Sequence, residues 1–404
     1  MTKTDIPYKS LVRPAVLIVG LLLLASNLRA PVTGLAPILD LLQEHFALSP
    51  AQAGMLTTLP LLAFGFISPF AALLAREYGL ERTLFAAMWL VAVGLLVRSA
   101  GPLWCLYLGT AVSGAGIAVG NVLLPSLVKR DFPLKVPVVM GVCALVMGGT
   151  AALVSACVVP LTAAWGWQGA LVGIIIFPIA AVAVWTTQLG THTGPARDTA
   201  APPHGGPVWH SALAWQVTLF MGINSLLYYV LIGWLPSILA DAGYTPAQAG
   251  AVHGGMQLAS AIPGIALAPL VGRMKDQTRV AAAMALMMAV GLLGLLFVPA
   301  GATAWAVLFG FGSGGGILLA LIFMGLRATN ARQAAALSGM AQCVGYTLAA
   351  CGPTLTGKLH TLTGEWTLPL AIGVVLSLLM AAFGTLAGRA RQIGDLAVGA
   401  KRTA

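Results

Sequence analysis

Apolar residues in this chain come in long blocks rather than in strand-like alternation, with polar residues gathered into short interruptions between them. Twelve blocks are long enough, or nearly so, to cross about 30 Å of hydrocarbon as helices: 14–40, 51–75, 83–100, 103–127, 137–160, 168–189, 211–239, 247–271, 280–298, 303–326, 334–357 and 367–388. Proline inside several of them, as at Pro31, Pro60, Pro125 and Pro263, does not demote them, because neighbouring helices satisfy the backbone groups a proline frees. The first block runs past the short core of a secretory signal and lacks its small-residue cleavage pattern, so it is read as a retained span. The pattern predicts an all-α membrane protein of twelve transmembrane helices.

Composition agrees with the pattern. Of 404 residues 59% are hydrophobic and only 8% charged, against about 25% charged in soluble domains, and the mean hydropathy is +0.92. The net charge of +10 has a topological origin. Lys and Arg are retained on the cytoplasmic side in short loops, and 18 of the 21 fall on one side when the N-terminus is placed inside. Both termini and the middle loop are therefore expected in the cytoplasm. The basic residues form no continuous patch, so nucleic acid is not an expected partner.

The chain repeats itself with a period near 197 residues. Ser49-Pro50-Ala51-Gln52-Ala53-Gly54 matches Thr245-Pro246-Ala247-Gln248-Ala249-Gly250, Ser113-Gly114-Ala115-Gly116-Ile117 matches Ser313-Gly314-Gly315-Gly316-Ile317, and Trp167 matches Trp366. Ser49 and Thr245 are N-cap candidates, with proline at the first helical position. The copies are joined by a stretch rich in Thr, Pro, Gly and His, which reads as a linker. The expected division is a six-helix bundle over 1–189, a cytoplasmic linker over 190–210 and a second bundle over 211–404.

Two like-oriented six-helix halves resemble the major facilitator superfamily, in which substrate binds between the halves near the midplane. That superfamily's loop signature after the second helix is degraded here. Ala72-Leu73-Leu74-Ala75-Arg76-Glu77-Tyr78-Gly79-Leu80-Glu81-Arg82 keeps the glycine but puts Arg76 where an acid belongs. Arg76, Glu77, Arg82 and Arg130 are candidates for a charge-swapped cytoplasmic latch, or simply a solvated basic loop. At finer grain the chain resembles the cyanate and 2-nitroimidazole transporter family. The residues that carry this are Leu28-Arg29, the run Leu56-Thr57-Thr58-Leu59-Pro60, Gly120-Asn121-Val122 with Lys129-Arg130-Asp131-Phe132-Pro133, Gly166-Trp167-Gln168-Gly169, and Trp234-Leu235-Pro236. The resemblance implies a bacterial inner-membrane carrier of a small anion or small polar nitrogen compound working by alternating access, monomeric as is usual for the superfamily.

Candidate substrate contacts come from polar residues inside the spans. Arg29 is foremost, because a charge at the centre of a span costs roughly 2.5–3.5 kcal/mol on insertion scales and so faces a protein interior or a watery cavity. Its alternative is a structural cation on helix carbonyls. Other polar residues recur at helical spacing and share single faces: Ser26, Arg29 and Thr33; Asn224 and Tyr228; His253, Gln257 and Ser260; Ser338, Gln342 and Tyr346. Asn121 is either a ligand contact or a helix–helix hydrogen bond. Tyr228 and Tyr229 are adjacent, so at most one is expected to face the cavity, and the Asn224 spacing favours Tyr228. His253 is a site residue or an interfacial cap, and the one embedded group that titrates near neutrality. The expected substrate-binding set is Arg29, Asn121, Asn224, Tyr228, His253, Gln257, Gln342 and Tyr346.

No paired acids, Ser-His-Asp set, phosphate-binding loop or metal-ligand spacing is present, so an enzyme, a cofactor and a metal are not expected. Cys105, Cys143, Cys157, Cys343 and Cys351 form no CxxC and read as small apolar residues. The competing reading is multidrug efflux of amphiphilic cations, which the scarcity of buried acids disfavours. A membrane sensor without transport is the remaining alternative.

Overall fold

The computed structural model describes residues 14–132, 135–189, 206–271, 274–329 and 331–393. Its helices follow one another as α1 (Pro14–Ser26), α2 (Ala30–Thr33), α3 (Leu39–Phe46), α4 (Pro50–Tyr78), α5 (Leu80–Arg98), α6 (Leu103–Asp131), α7 (Val136–Gly173), α8 (Ile176–Trp185), α9 (Ala212–Asp241), α10 (Pro246–Ala266), α11 (Ala268–Val271), α12 (Thr278–Phe297), α13 (Ala302–Leu326), α14 (Ala331–Thr363) and α15 (Thr367–Ala387). Among the described residues nine helical stretches are long and apolar enough to cross a bilayer. One of these, Val138–Gln188, folds back at Gly166, whose φ of 71° lies in the left-handed region that glycine occupies without a Cβ penalty. The polar-faced α10 and α14 add two more long helices, and the arrangement is consistent with twelve spans. Of the expected linker, residues 190–205 lie outside the described residues, and Gly206–His210 form a short 3-10 turn.

The helix starts anticipated at Ser49 and Thr245 are full capping boxes, each hydroxyl bonded to the backbone N–H three residues on and each Gln52 or Gln248 side chain returning the bond, an arrangement that satisfies two orphan donors at once. The first span departs from expectation, because it is not one continuous helix. Pro31 has no N–H for the carbonyl of Asn27, Asn27 Nδ2 and Ser26 Oγ both turn back to the Leu23 carbonyl at 2.7 Å, and Arg29 takes the non-helical angles φ −125°, ψ −41°. The chain resumes as α2, a 3-10 turn at Ala36–Ile38 and α3.

The two halves of the chain meet where α4 packs on α14 and α7 on α10. Backbones come close there. A Cβ on Gly54 would lie 2.7 Å from the Pro353 carbonyl oxygen, and one on Gly250 would lie 2.8 Å from that of Ser155. At the end of the bundle holding Asp40, Thr245 and Thr354 the halves are sealed. Ser237 Oγ donates to Asp40 at 2.6 Å, and Thr58 Oγ1 donates to the Ala350 carbonyl at 2.8 Å and sits 2.9 Å from Thr354 Oγ1. Asp40 and Ser237 are 197 positions apart, close to the repeat period read from the sequence. Toward the opposite end the helices diverge around a cavity.

Candidate functional site

The cavity measures about 1190 Å³ and reaches from Arg29 to the end of the bundle that carries Lys275, Arg327 and Arg391. Asn121 from α6 and Ser338, Gln342 and Tyr346 from α14 line it, with Gln342 donating to Ser338 Oγ at 2.9 Å. At its blind end a second pocket of about 50 Å³ is enclosed by Arg29, Asn224, Tyr228, Tyr229, Ser260, Ser313 and Tyr346, among others. Arg29, Tyr229, Ser260 and Tyr346 belong to both walls.

Arg29 stands at the break between α1 and α2 as the N-cap residue of α2, without a side-chain capping bond. The break frees its side chain to cross the interface, where Nη1 donates to Ser260 Oγ of α10 at 2.8 Å and the guanidinium lies 5.1 Å from the centroid of the Tyr228 ring, a cation–π separation. No carboxylate pairs with Arg29 among the described residues. The aromatic wall is continuous: Tyr228 meets Tyr229 at 5.4 Å, Tyr229 meets Phe64 at 6.3 Å, and Phe64 meets Tyr346 at 5.5 Å. Asn224, 2% exposed, is among the residues lining this pocket, and its Oδ1 is buried without a hydrogen-bond partner. Gly314 is part of its wall, and a Cβ there would collide with the Ser260 carbonyl oxygen.

Six of the eight substrate-contact candidates, Arg29, Asn121, Asn224, Tyr228, Gln342 and Tyr346, line one or both spaces. His253 and Gln257 line neither; both are fully buried behind Tyr228, whose hydroxyl donates to Gln257 Oε1. Tyr229 enters the pocket together with Tyr228, because at this depth the wall wraps around the helix and both neighbouring rings reach it. Ser26 and Thr33 share Arg29's helical spacing but bond to backbone carbonyls around the break instead. Ser225 and Ser313 were visible in the sequence only as small polar residues within apolar runs, whereas Ser260 was grouped by its spacing with His253 and Gln257 and is the one of those three that lines the cavity.

Of the latch candidates, the Arg76 side chain lies outside the described residues. Glu77 and Arg82 are exposed. Arg130 pairs instead with Glu81, at 2.6 Å, and Asp131, at 2.8 Å. Glu81 is 4% exposed and sits in the first turn of α5, where a carboxylate complements the helix dipole. Burial would depress the Arg130 pKa, but the bond to Asp131 and the charge of Glu81 override it and hold it above the ordinary arginine value.

An all-helical membrane bundle with a polar cavity between its halves is the architecture of a solute carrier, and the sequence comparison agrees. The profile of the Major Facilitator Superfamily matches residues 17–350, and the chain belongs to that superfamily and, within it, to the cyanate and 2-nitroimidazole transporter family. It is 54% identical over 379 residues to the 2-nitroimidazole transporter of Escherichia coli (strain K12), covering 94% of this chain and 96% of that one. It is 26% identical over 351 residues to the cyanate transport protein of the same organism, covering 86% and 90%. The fold superposes, at a TM-score of 0.72 and 14% identity over 94% of this chain and 98% of the other, on a bacterial homologue of the human lysosomal transporter Spinster in an inward-facing, unoccupied conformation. The protein is a multi-pass membrane transporter and not an enzyme.

Proposed function

We propose that this transporter carries a small anion or small polar nitrogen compound of the 2-nitroimidazole or cyanate kind across the bacterial inner membrane by alternating access, and that the ligand is gripped at Arg29. The observation that carries the reading is the pairing of two unmet demands in one pocket. Arg29 has no carboxylate partner among the described residues, and Asn224 presents a buried acceptor without a donor. A flat ligand with negative or electron-rich oxygens for the guanidinium and an N–H or O–H for Asn224 answers both, while Tyr228, Tyr229 and Tyr346 cover its faces. The compound named for the 54%-identical relative has both groups, nitro oxygens and a ring N–H. A cationic wall disfavours amphiphilic cations, the substrates of the efflux alternative. Asn121 and Gln342 serve along the entry path, and His253 and Gln257 act from behind Tyr228.

In this reading 1–189 and 211–404 rock as two bodies about a cytoplasmic linker, with both termini in the cytoplasm and the protein working as a monomer. The cavity then opens to the cytoplasm, and Arg76, Glu77, Arg82 and Arg130 gate that end. Counterflow in proteoliposomes with labelled 2-nitroimidazole and cyanate tests the assignment. Wild-type protein should exchange at least one of them and Arg29→Ala neither. Equal exchange by Arg29→Ala refutes the Arg29 site, and no exchange of either by the wild type refutes the substrate class.

A further inference from the structure

We infer that the Arg29 pocket takes an aromatic carboxylate, its oxygens held in a cage of three donor groups: the Arg29 guanidinium and the hydroxyls of Tyr229 and Tyr346. The inference rests on the carrier reading above and narrows its ligand class. Arg29 belongs to the first half of the chain, Tyr229 on α9 and Tyr346 on α14 to the second. All three are half-buried and line both the small pocket and the large cavity. The two phenols lie within electrostatic reach of Arg29 and of each other. Phe64, which lines neither space, packs edge-on against both rings and fixes them from behind.

None of the three has all its donors answered by the protein. Arg29 gives one N–H to Ser260 Oγ and makes no other hydrogen bond among the described residues. The Tyr229 and Tyr346 hydroxyls make none, whereas that of Tyr228 is spent on Gln257. A guanidinium carries five N–H groups and no acceptor, and each phenol adds an O–H. The cluster therefore asks for a full negative charge and several lone pairs on one group. A nitro group is uncharged and leaves the guanidinium unneutralised. Cyanate carries the charge but offers the cluster a single terminal atom. A carboxylate brings two oxygens with about four lone-pair sites, enough to meet the planar fork of arginine and still accept from both phenols.

The remaining space suits a ring attached to that carboxylate. The large cavity is lined by cations at both ends, Arg29 at the blind end and Lys275, Arg327 and Arg391 at the other, and by no carboxylate among the described residues, so its field favours the entry of anions. Its volume of about 1190 Å³ far exceeds the needs of a triatomic ion and reaches the range of sites for drug-sized ligands. Between the cations much of the wall is apolar, with Met140 and Met147 from α7, Met221 from α9 and Leu318 and Ile322 from α13. Methionine side chains adapt to the shape of what they meet. A ring leaving the donor cage passes Tyr229 and Tyr346, where aromatic groups gain beyond their buried area, and extends along this wall.

Isothermal titration of the full chain in detergent with benzoate, benzamide and cyclohexanecarboxylate tests the class. Benzamide keeps the ring without the charge, and cyclohexanecarboxylate keeps the charge without the aromatic ring. Benzoate should bind, benzamide at least about tenfold more weakly because its hydrogen bonds are no longer charge-assisted, and cyclohexanecarboxylate about threefold more weakly. Tyr229→Phe and Tyr346→Phe should each weaken benzoate about tenfold, the scale of a hydrogen bond to a charged group, with the unfolding temperature of the empty protein unchanged. Benzoate at equal concentration on both sides of the proteoliposome membrane should inhibit counterflow of 2-nitroimidazole. Absence of benzoate binding, benzamide or cyclohexanecarboxylate matching benzoate, both phenylalanine variants binding benzoate as the wild type does, or bound benzoate that leaves the counterflow untouched overturns the inference. The carrier reading survives any of these as long as 2-nitroimidazole or cyanate is exchanged. Benzoate binding with the expected losses, but no exchange of either compound, overturns those two as substrates and supports the carboxylate class.

Discussion

Two arginines attend the same break in the first span, one on each side, and they do opposite jobs. Arg29 faces the cavity, half-buried, hydrogen-bonded to Ser260 and set over the Tyr228 ring across the interface. Arg98, at the last position of α5, is wholly enclosed and donates at 2.6 Å to the carbonyl of Pro31, two residues beyond Arg29. The break makes both possible: it releases backbone carbonyls that Arg98 can hold, and it swings Arg29 out of the helical path. Arg98 is fixed by the protein, even though its Nε and Nη2 find no partner. On the proposed reading Arg29 keeps donors for a ligand that comes and goes. A cation would then become a binding group because no carboxylate answers it, among the described residues, on a side that opens to the cavity.

Substitutions can break this contrast. Arg29→Ala should abolish exchange, a loss of at least about 100-fold if a charge-assisted grip worth roughly 3 kcal/mol is removed, while leaving the unfolding temperature close to wild type; thermal unfolding in detergent beside counterflow measures both. Arg29→Lys should recover little, because a point charge cannot replace a planar fork. Arg98→Ala should do the reverse, destabilising the fold by about 2–4 kcal/mol through the lost bond and the void left by a large buried side chain, with exchange per folded molecule largely kept. If Arg98→Ala silences transport without affecting stability, the two roles have been assigned the wrong way round. Ser260→Ala removes the hydrogen bond that holds Arg29 to α10 and should weaken apparent affinity roughly tenfold, in line with about 1.5 kcal/mol for a hydrogen bond to a charged group. Titration of exchange against probe concentration measures it.

The smallest expected effect concerns a second pair of arginines. Arg130 and Arg327 are one repeat period apart and hold equivalent helix ends, yet Arg130 is met by the carboxylates of Glu81 and Asp131, whereas Arg327 is met by the Gln277 side chain and the carbonyls of Ala387, at 2.8 Å, and Gly388, at 3.0 Å. Burial accordingly lowers the Arg327 pKa, with only Asp276 opposing it, while Arg130 is raised. Glu81→Gln makes the first half resemble the second and should cost only about 1 kcal/mol, because Asp131 remains to pair with Arg130. A larger loss in thermal unfolding would mean that the first half depends on this ion pair in a way its copy does not.

Much of this was legible in the sequence. A helix start is a local event, so Ser49-Pro50 and Thr245-Pro246 announced their capping boxes. Arg29 stood out because a charge in the middle of an apolar block has no local excuse. Asn224 with Tyr228, and Ser338 with Gln342 and Tyr346, share helical faces and were grouped before their helices were placed. Arg98 and Glu81 were overlooked for a common reason: each lies at the end of its helix, where a charge is cheap, and only the neighbouring chain buries it. His253 and Gln257 share a face with Ser260, but periodicity gives a direction around one helix and not what stands in front of it. Tyr228 stands in front of Gln257, and only Ser260 reaches the cavity.

The sequence by itself determined the membrane spans, the twofold repeat, the helix starts and the presence of one unexplained cation, because hydropathy, capping and internal similarity are properties of the chain alone. The tertiary structure decided the rest. Pro31 shows that a helix is weakened, but its neighbours decide the outcome: Arg98 of α5 holds the Pro31 carbonyl and Ser260 of α10 accepts from Arg29. Whether an arginine is a strut or a hand for a ligand depends on which acceptors other helices bring within 3 Å of it, and no stretch of sequence contains those distances.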